Sequence, residues 1–107
     1  MHRNLGPGFL EVTYENALCV ELSRAGLNFE RQVVVPLLYK GAGIGEYRLD
    51  LLVEDKVIVE LKAVSEFDAV FFAQMLAYLR ATGKSVGLLF NFNVPVLMNG
   101  GFRRFVL

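Results

Sequence analysis

Arg48-Leu49-Asp50-Leu51-Leu52-Val53-Glu54-Asp55-Lys56-Val57-Ile58-Val59-Glu60-Leu61-Lys62 is two apolar runs of strand length divided by three turn residues. Carboxylates and a lysine inside such runs are costly unless paired or used. Alternation along the second run points Glu60 and Lys62 to one face and Val59 and Leu61 to the other. The turn decides where Asp50 lies. A three-residue loop over Glu54-Asp55-Lys56 pairs Val53 with Val57 and sets Asp50 opposite Glu60. A two-residue loop pairs Leu51 with Glu60 and throws Asp50 to the far face. In the first register the carboxylates stand about 4.5 to 5.5 Å apart at Cβ, close enough to share a Mg²⁺ held at about 2.0 to 2.1 Å per oxygen. Lys62, one step along, could then stabilise charge developing on a phosphoryl group. The plain alternative is a surface salt-bridge set on the solvated face of a hairpin; a third reading, in which the acids form structural salt bridges in a small-ligand binder, predicts that Asp50 and Glu60 do not converge.

Downstream, Ser65 with Asp68 three residues on forms a capping-box variant. It opens a helix through Phe67, Val70, Phe71, Phe72, Gln74, Met75, Tyr78 and Leu79 to a stop at Gly83. That helix is apolar on most sides, so it should lie against the sheet and be covered again. Gln74 and Tyr78 share one of its faces, and Gln74 needs a partner if buried. Val86 to Phe92 reads as a buried central strand, and Phe102 to Leu107 as a last short one.

Upstream, Pro7-Gly8 precede a helix from Phe9 to Leu22, with Gly26 where a left-handed cap falls. Leu10, Tyr14, Ala17, Leu18 and Leu22 share a face, with Glu11 on its border. Phe29 to Tyr39 reads as a strand whose Pro36 marks an edge or a bulge. Lys40 to Gly45 supplies positive-φ positions for a turn, Tyr47 to Val53 the second strand and Val57 to Val64 the third. The order is α, β, β, β, α, β, β.

The 107 residues sit at the low end for one domain, and a hydrophobic share of 54% excludes a disordered chain. It is also more apolar surface than so short a chain hides, which points to a self-associating face. Eleven Lys and Arg balance eleven Asp and Glu, so no global positive field draws the chain to nucleic acid or lipid. One cysteine, Cys19, excludes a disulfide framework or a multi-cysteine metal site and suits a cytoplasmic protein. No secretory signal opens the sequence. The uncharged stretch from Ser85 to Phe102 is broken by Asn91, Asn93, Pro95 and Asn99-Gly100-Gly101, too polar for a membrane span.

Asp50, then Glu60-Leu61-Lys62, then Gln74-Met75-Leu76-Ala77-Tyr78 resembles the PD-(D/E)XK nuclease core, whose exonuclease-like branches follow the acidic strands with a Q-x-x-x-Y motif. Gly8-Phe9-Leu10-Glu11-Val12-Thr13-Tyr14 more closely resembles the signature of the GxxExxY family within that superfamily. Asn16-Ala17-Leu18, Asp50-Leu51-Leu52-Val53, Ile58 to Val64, Tyr78-Leu79 and Gly87 to Phe92 add to the match, which covers nearly the whole chain. The resemblance implies a restriction-endonuclease-like α/β fold, a mixed sheet flanked by helices in a single domain over residues 1–107. It also implies a hydrolase using Mg²⁺ or Mn²⁺ on nucleic acid, DNA first. Asp50 and Glu60 would be metal ligands, Lys62 the catalytic lysine, Glu11 an additional acid, and Gln74 and Tyr78 would position substrate backbone or orient Lys62. Leu49 stands where the literal motif has proline. Members of the group also carry a further helical stretch ahead of the segment matching His2 to Gly6, so the chain is expected to be shortened and to leave part of its core bare.

Other features point elsewhere only weakly. Gly41-Ala42-Gly43-Ile44-Gly45 lacks the helix and Lys-Ser/Thr pair of a phosphate loop. His2 has no visible acid or metal partner, and Cys19 reads as a small buried side chain rather than a nucleophile. Arg80, Lys84, Arg103 and Arg104 could touch phosphates but are more often a solvated rim. The rival reading is a noncatalytic module that keeps the fold and uses an apolar face to form a homodimer or hold a partner.

Overall fold

The computed structural model describes residues 9–64, 68–92 and 101–107. The elements are α1 (Glu11–Arg24), β1 (Phe29–Tyr39), β2 (Ala42–Val53), β3 (Val57–Lys62), α2 (Ala69–Thr82), β4 (Val86–Asn91) and β5 (Phe102–Val106), in the expected order. The five strands form one sheet in the order β1-β2-β3-β4-β5. Only β3 and β4 run parallel, and α2 is their crossover; the other neighbours are antiparallel. α1 packs on one sheet face with Tyr14, Cys19, Leu51, Val59, Leu61 and Phe92. α2 packs on the other with Leu49, Leu52, Ile58, Met75, Leu79 and Leu89. This is the mixed α/β sheet flanked by helices that the sequence implied.

Several boundaries move, each for a local reason. α1 starts at Glu11, and Leu10 is its exposed N-cap rather than a member of the buried face. That face carries Tyr14, Glu15 and Cys19. Gly26 takes φ 75° past its end. The first hairpin turns on Lys40 and Gly41 alone, at φ 51° and 81° with Tyr39 paired to Ala42, the two-residue geometry whose twist suits the strands. β2 therefore begins at Ala42, not Tyr47, and absorbs the other glycines in a bulge: Leu37 faces Gly45 while Leu38 faces Gly43. Pro36 lies beside that bulge on an edge strand, where its missing N–H costs nothing. β3 stops at Lys62 rather than Val64. Ser65 and Phe67 lie outside the described residues. Asp68 is itself the N-cap of α2, accepting from Val70 N at 3.0 Å, and Gly83 closes the helix at φ 72°. The outer side of α2 leaves Val70 exposed.

The alternation of side chains breaks once on each of the first two strands. On β2, Leu49 packs toward α2 but Leu51, two residues on, packs toward α1. On β1, Phe29 belongs to the α1 side and Val33 and Val35 to the α2 side. The break falls at Gln32, whose φ is 51°, and at Asp50 across from it, between the pairs Arg31–Leu51 and Val33–Leu49. A left-handed residue inside a strand turns the chain and swaps the faces. The β1–β2 hairpin thereby reaches α2, where Tyr47 meets Tyr78 edge-on at 4.7 Å.

Close packing of β4 under α2 gives one measurable consequence. A Cβ on Gly87 would strike the side chain of the fully buried Met75. Gly87→Ala should lose about 1–3 kcal/mol of stability, at the lower end because Met75 is flexible. Urea denaturation of the two proteins measures this, and equal midpoints would contradict the packing.

Candidate functional site

The turn after β2 is the three-residue one: Val53 pairs with Val57. Glu54 and Asp55 sit at φ 53° and 55°, and Lys56 N donates to Val53 O at 3.0 Å. The β2–β3 pairing runs back to Leu51 and Val59 and there opens. At the fork, side chains take over from the ladder. Asp50 N donates to Glu60 Oε1 at 3.2 Å, and Leu61 N donates to Asp50 Oδ2 at 2.8 Å. Each carboxyl thus accepts from a backbone N–H of the opposite strand, which brings the two side chains to one junction. A set of unrelated surface salt bridges is thereby excluded for this pair.

Two carboxyls this close and this dry cannot both carry charge cheaply. Glu60 is 6% exposed. Burial first, and the Asp50 charge second, push its pKa up to about 9, so it is protonated at neutral pH. Tyr78 on α2 is pushed up to about 12, by burial and then by the Glu60 and Asp50 charges, which places its hydroxyl in the field of the same pair. Gln74, one helical turn earlier, is half-buried. Lys62 lies on the α2 face of β3, its ammonium 4.8 Å from the centre of the Phe71 ring, while Val59 and Leu61 pack on the α1 side.

Glu11 enters from the other helix. Burial raises its pKa; the Lys62 charge opposes that rise and the Asp50 charge adds to it. Glu11, Asp50, Gln32, Glu15, Val12 and Leu61 line one cleft of about 250 Å³. Asp50 thus feels acids from both faces of the sheet, Glu60 and Glu11. Among the described residues no group of three His, Cys, Asp or Glu side chains is close enough to hold a metal ion unaided. Glu11 faces the cleft without closing a three-acid cluster.

Two supporting groups escaped the sequence reading. Asn91, 1% exposed, donates from Nδ2 to Val64 O at 2.9 Å and accepts on Oδ1 from Val64 N at 3.1 Å. With Phe92 N donating to Lys62 O at 2.9 Å, this fixes the chain just beyond Lys62. Glu15, also buried, takes Arg31 Nε at 3.0 Å and Nη2 at 2.6 Å on one oxygen and Gln32 Nε2 at 2.7 Å on the other. Arg31 Nη2 also donates to Asn16 Oδ1 at 2.6 Å. Glu15 follows Tyr14 directly and reads as the wet side of the helix; only its distant partners explain its burial.

The donor set at the fork suits a hard divalent cation. Mg²⁺ is commonly held by one or two carboxylates while waters and substrate phosphates complete its shell, and a cation between Asp50 and Glu60 would relieve the repulsion that now retains a proton. The sequence model of a family described as PD-(D/E)XK nuclease superfamily matches residues 1–105. No curated protein and no solved structure gives a match. A match over nearly the whole length, on a mixed sheet with this strand order, makes the chain a member of the PD-(D/E)XK nuclease superfamily.

Proposed function

We propose that this domain, taken as one unit over residues 1–107, is a Mg²⁺- or Mn²⁺-dependent phosphodiesterase acting on nucleic acid, DNA first. The observation that carries the reading is the convergence of Asp50 and Glu60 at an open fork next to Lys62. Asp50 and Glu60 would hold the cation, with Glu11 reaching the cleft from α1. When bound, the cation supplies a Lewis acid for the phosphate and acidifies water. Lys62, freed from the Phe71 ring, would meet charge developing on the phosphoryl oxygens. Tyr78 and Gln74 would orient the substrate backbone beside Glu60.

We also infer membership of the GxxExxY group. Support comes from what its signature residues do: Glu11 lines the cleft with Asp50, and Tyr14 is fully buried, stacked on Phe92 at 4.6 Å. Isothermal titration of Mn²⁺, followed by incubation with single- and double-stranded DNA, tests the activity. Lys62→Met should keep Mn²⁺ binding and lower cleavage on the order of 10²- to 10³-fold, as loss of one charge-stabilising donor does. Undiminished cleavage in Lys62→Met would remove the lysine from the mechanism.

A second reading, a noncatalytic module, is favoured by one feature. Leu18, Leu22, Leu27, Val53, Val57, Val59, Leu88 and Phe90 line an apolar groove between α1 and the sheet. Absence of Mn²⁺ binding by the wild type would select it. Among the described residues no helix is long and apolar enough to cross a membrane.

A further inference from the structure

We propose that Glu15 is a positioning residue for the acidic pair: by clamping Arg31 and Gln32 it holds the strand kink that opens the β2–β3 fork and sets Asp50 between Glu60 and Glu11. The importance of the clamp for metal rests on the metal-dependent reading of the site; its effect on the backbone does not.

Gln32 takes φ 51°, a conformation that residues other than glycine adopt in a strand only when their surroundings force it. The force is visible. Both Glu15 oxygens are engaged, Oε2 by Arg31 Nε and Nη2 and Oε1 by Gln32 Nε2. The carboxylate side chain is 8% exposed and that of Arg31 40%, so these are charge-assisted bonds shielded from water at the Glu15 end. They fix two consecutive residues of β1 to α1. Ordinary alternation would put Arg31 and Gln32 on opposite faces; the left-handed turn lets both reach one carboxylate.

Gln32 is the residue across from Asp50, flanked by the pairs Arg31–Leu51 and Val33–Leu49. At that position β2 also changes face, and one residue further its pairing to β3 ends. Asp50 then spends its carboxylate on Leu61 N rather than facing squarely to either side. Gln32, Glu15 and Asp50 line the same cleft. The kink, the fork and the acidic pair therefore share one support.

Three variants test this. Glu15→Gln should weaken Mn²⁺ binding about 10- to 100-fold, as loss of a group that orients a metal ligand does. Glu15→Gln/Gln32→Gly should return the affinity to within about threefold of wild type, because glycine holds the positive φ without a clamp. Should Glu15→Gln not fold, Gln32→Val takes its place at an exposed position, where a β-branched residue opposes positive φ, and the same loss is expected. The second readout is hydrogen exchange of the Leu61 amide, protected by Asp50 in the wild type. It should lose protection in Glu15→Gln or Gln32→Val and regain it in the glycine double variant. Unchanged Mn²⁺ affinity and Leu61 protection in the single variants, or a double variant no better than Glu15→Gln, would overturn the proposal. If the wild type binds no Mn²⁺, the metal reading fails, and Leu61 exchange alone still decides the clamp.

Discussion

Asp50→Asn is expected to bind no Mn²⁺ and to cut no nucleic acid, yet to be at least as stable as the wild type in the absence of metal. The asparagine keeps a side-chain oxygen to accept from Leu61 N, as Asp50 Oδ2 does at 2.8 Å, so the bond across the fork is kept. What disappears is the charge. One of two carboxylates available to a cation is lost, and with it a metal contribution of several kcal/mol to transition-state stabilisation, on the order of 10²-fold or more in rate. The Asp50 charge is also one of the causes holding Glu60 up at about 9, so with an asparagine there Glu60 can release its proton at lower cost in the folded state. Isothermal titration and thermal melting of the same two samples measure both effects. A variant that loses binding and also melts far lower would make Asp50 a structural residue first. One that still binds Mn²⁺ would move the metal elsewhere.

The second large effect is a fall in metal-free stability with rising pH. Glu60 has a folded pKa near 9 against an ordinary value of 4.5. Below about 4.5 both states hold the proton and nothing changes. Between about 4.5 and 9 the folded protein retains a proton that the unfolded chain releases, so stability drops steadily across that window and levels off above it. Glu11 is raised as well and acts with the same sign. Each tenfold change in proton affinity is worth about 1.4 kcal/mol, so the loss across the window is a few kcal/mol. Urea unfolding at pH 5, 7 and 9 measures it. Glu60→Gln should flatten the slope, since the amide has no proton to keep. A wild-type stability that is level from pH 5 to 9 would show that Glu60 ionises in place without cost. Mn²⁺ should counter the fall, because its binding displaces that proton and is favoured at higher pH.

Much of the scaffold was legible from local rules. Glycine at Gly26 and Gly83 marked the helix ends because left-handed caps suit a residue without Cβ. The uninterrupted apolar run at Val86 marked a strand covered on both faces, and it lies between β3 and β5. The glycine-rich stretch after Tyr39 misled. It looked like one long turn, but two residues suffice to reverse the chain and the remaining glycines serve a bulge. Leu10 also misled, since a hydrophobic residue at helical spacing can still be the cap that lies outside the helix.

At the site the division is sharper. Alternation in Val59-Glu60-Leu61-Lys62 was enough to place the glutamate and lysine on one face, because every residue of a strand obeys the same two-fold repeat. Whether Asp50 meets Glu60 turned first on one residue of loop length, and both loops suit Glu54-Asp55-Lys56; the pairing of Val53 with Val57 chose the loop, and the bonds of the two carboxyls beyond the end of the ladder made the junction. The kink at Gln32 had no signature, for Arg31-Gln32-Val33-Val34-Val35 reads as plain strand. It exists because Glu15, far away in the sequence, offers a buried carboxylate that outweighs the backbone cost of a positive φ. The order of elements and the chemistry they carry follow from short-range periodicity and turn preference, so the amino-acid string was sufficient for both. The parting of the strands around Asp50 was not written there, because it depends on contacts between distant segments that local propensity cannot see.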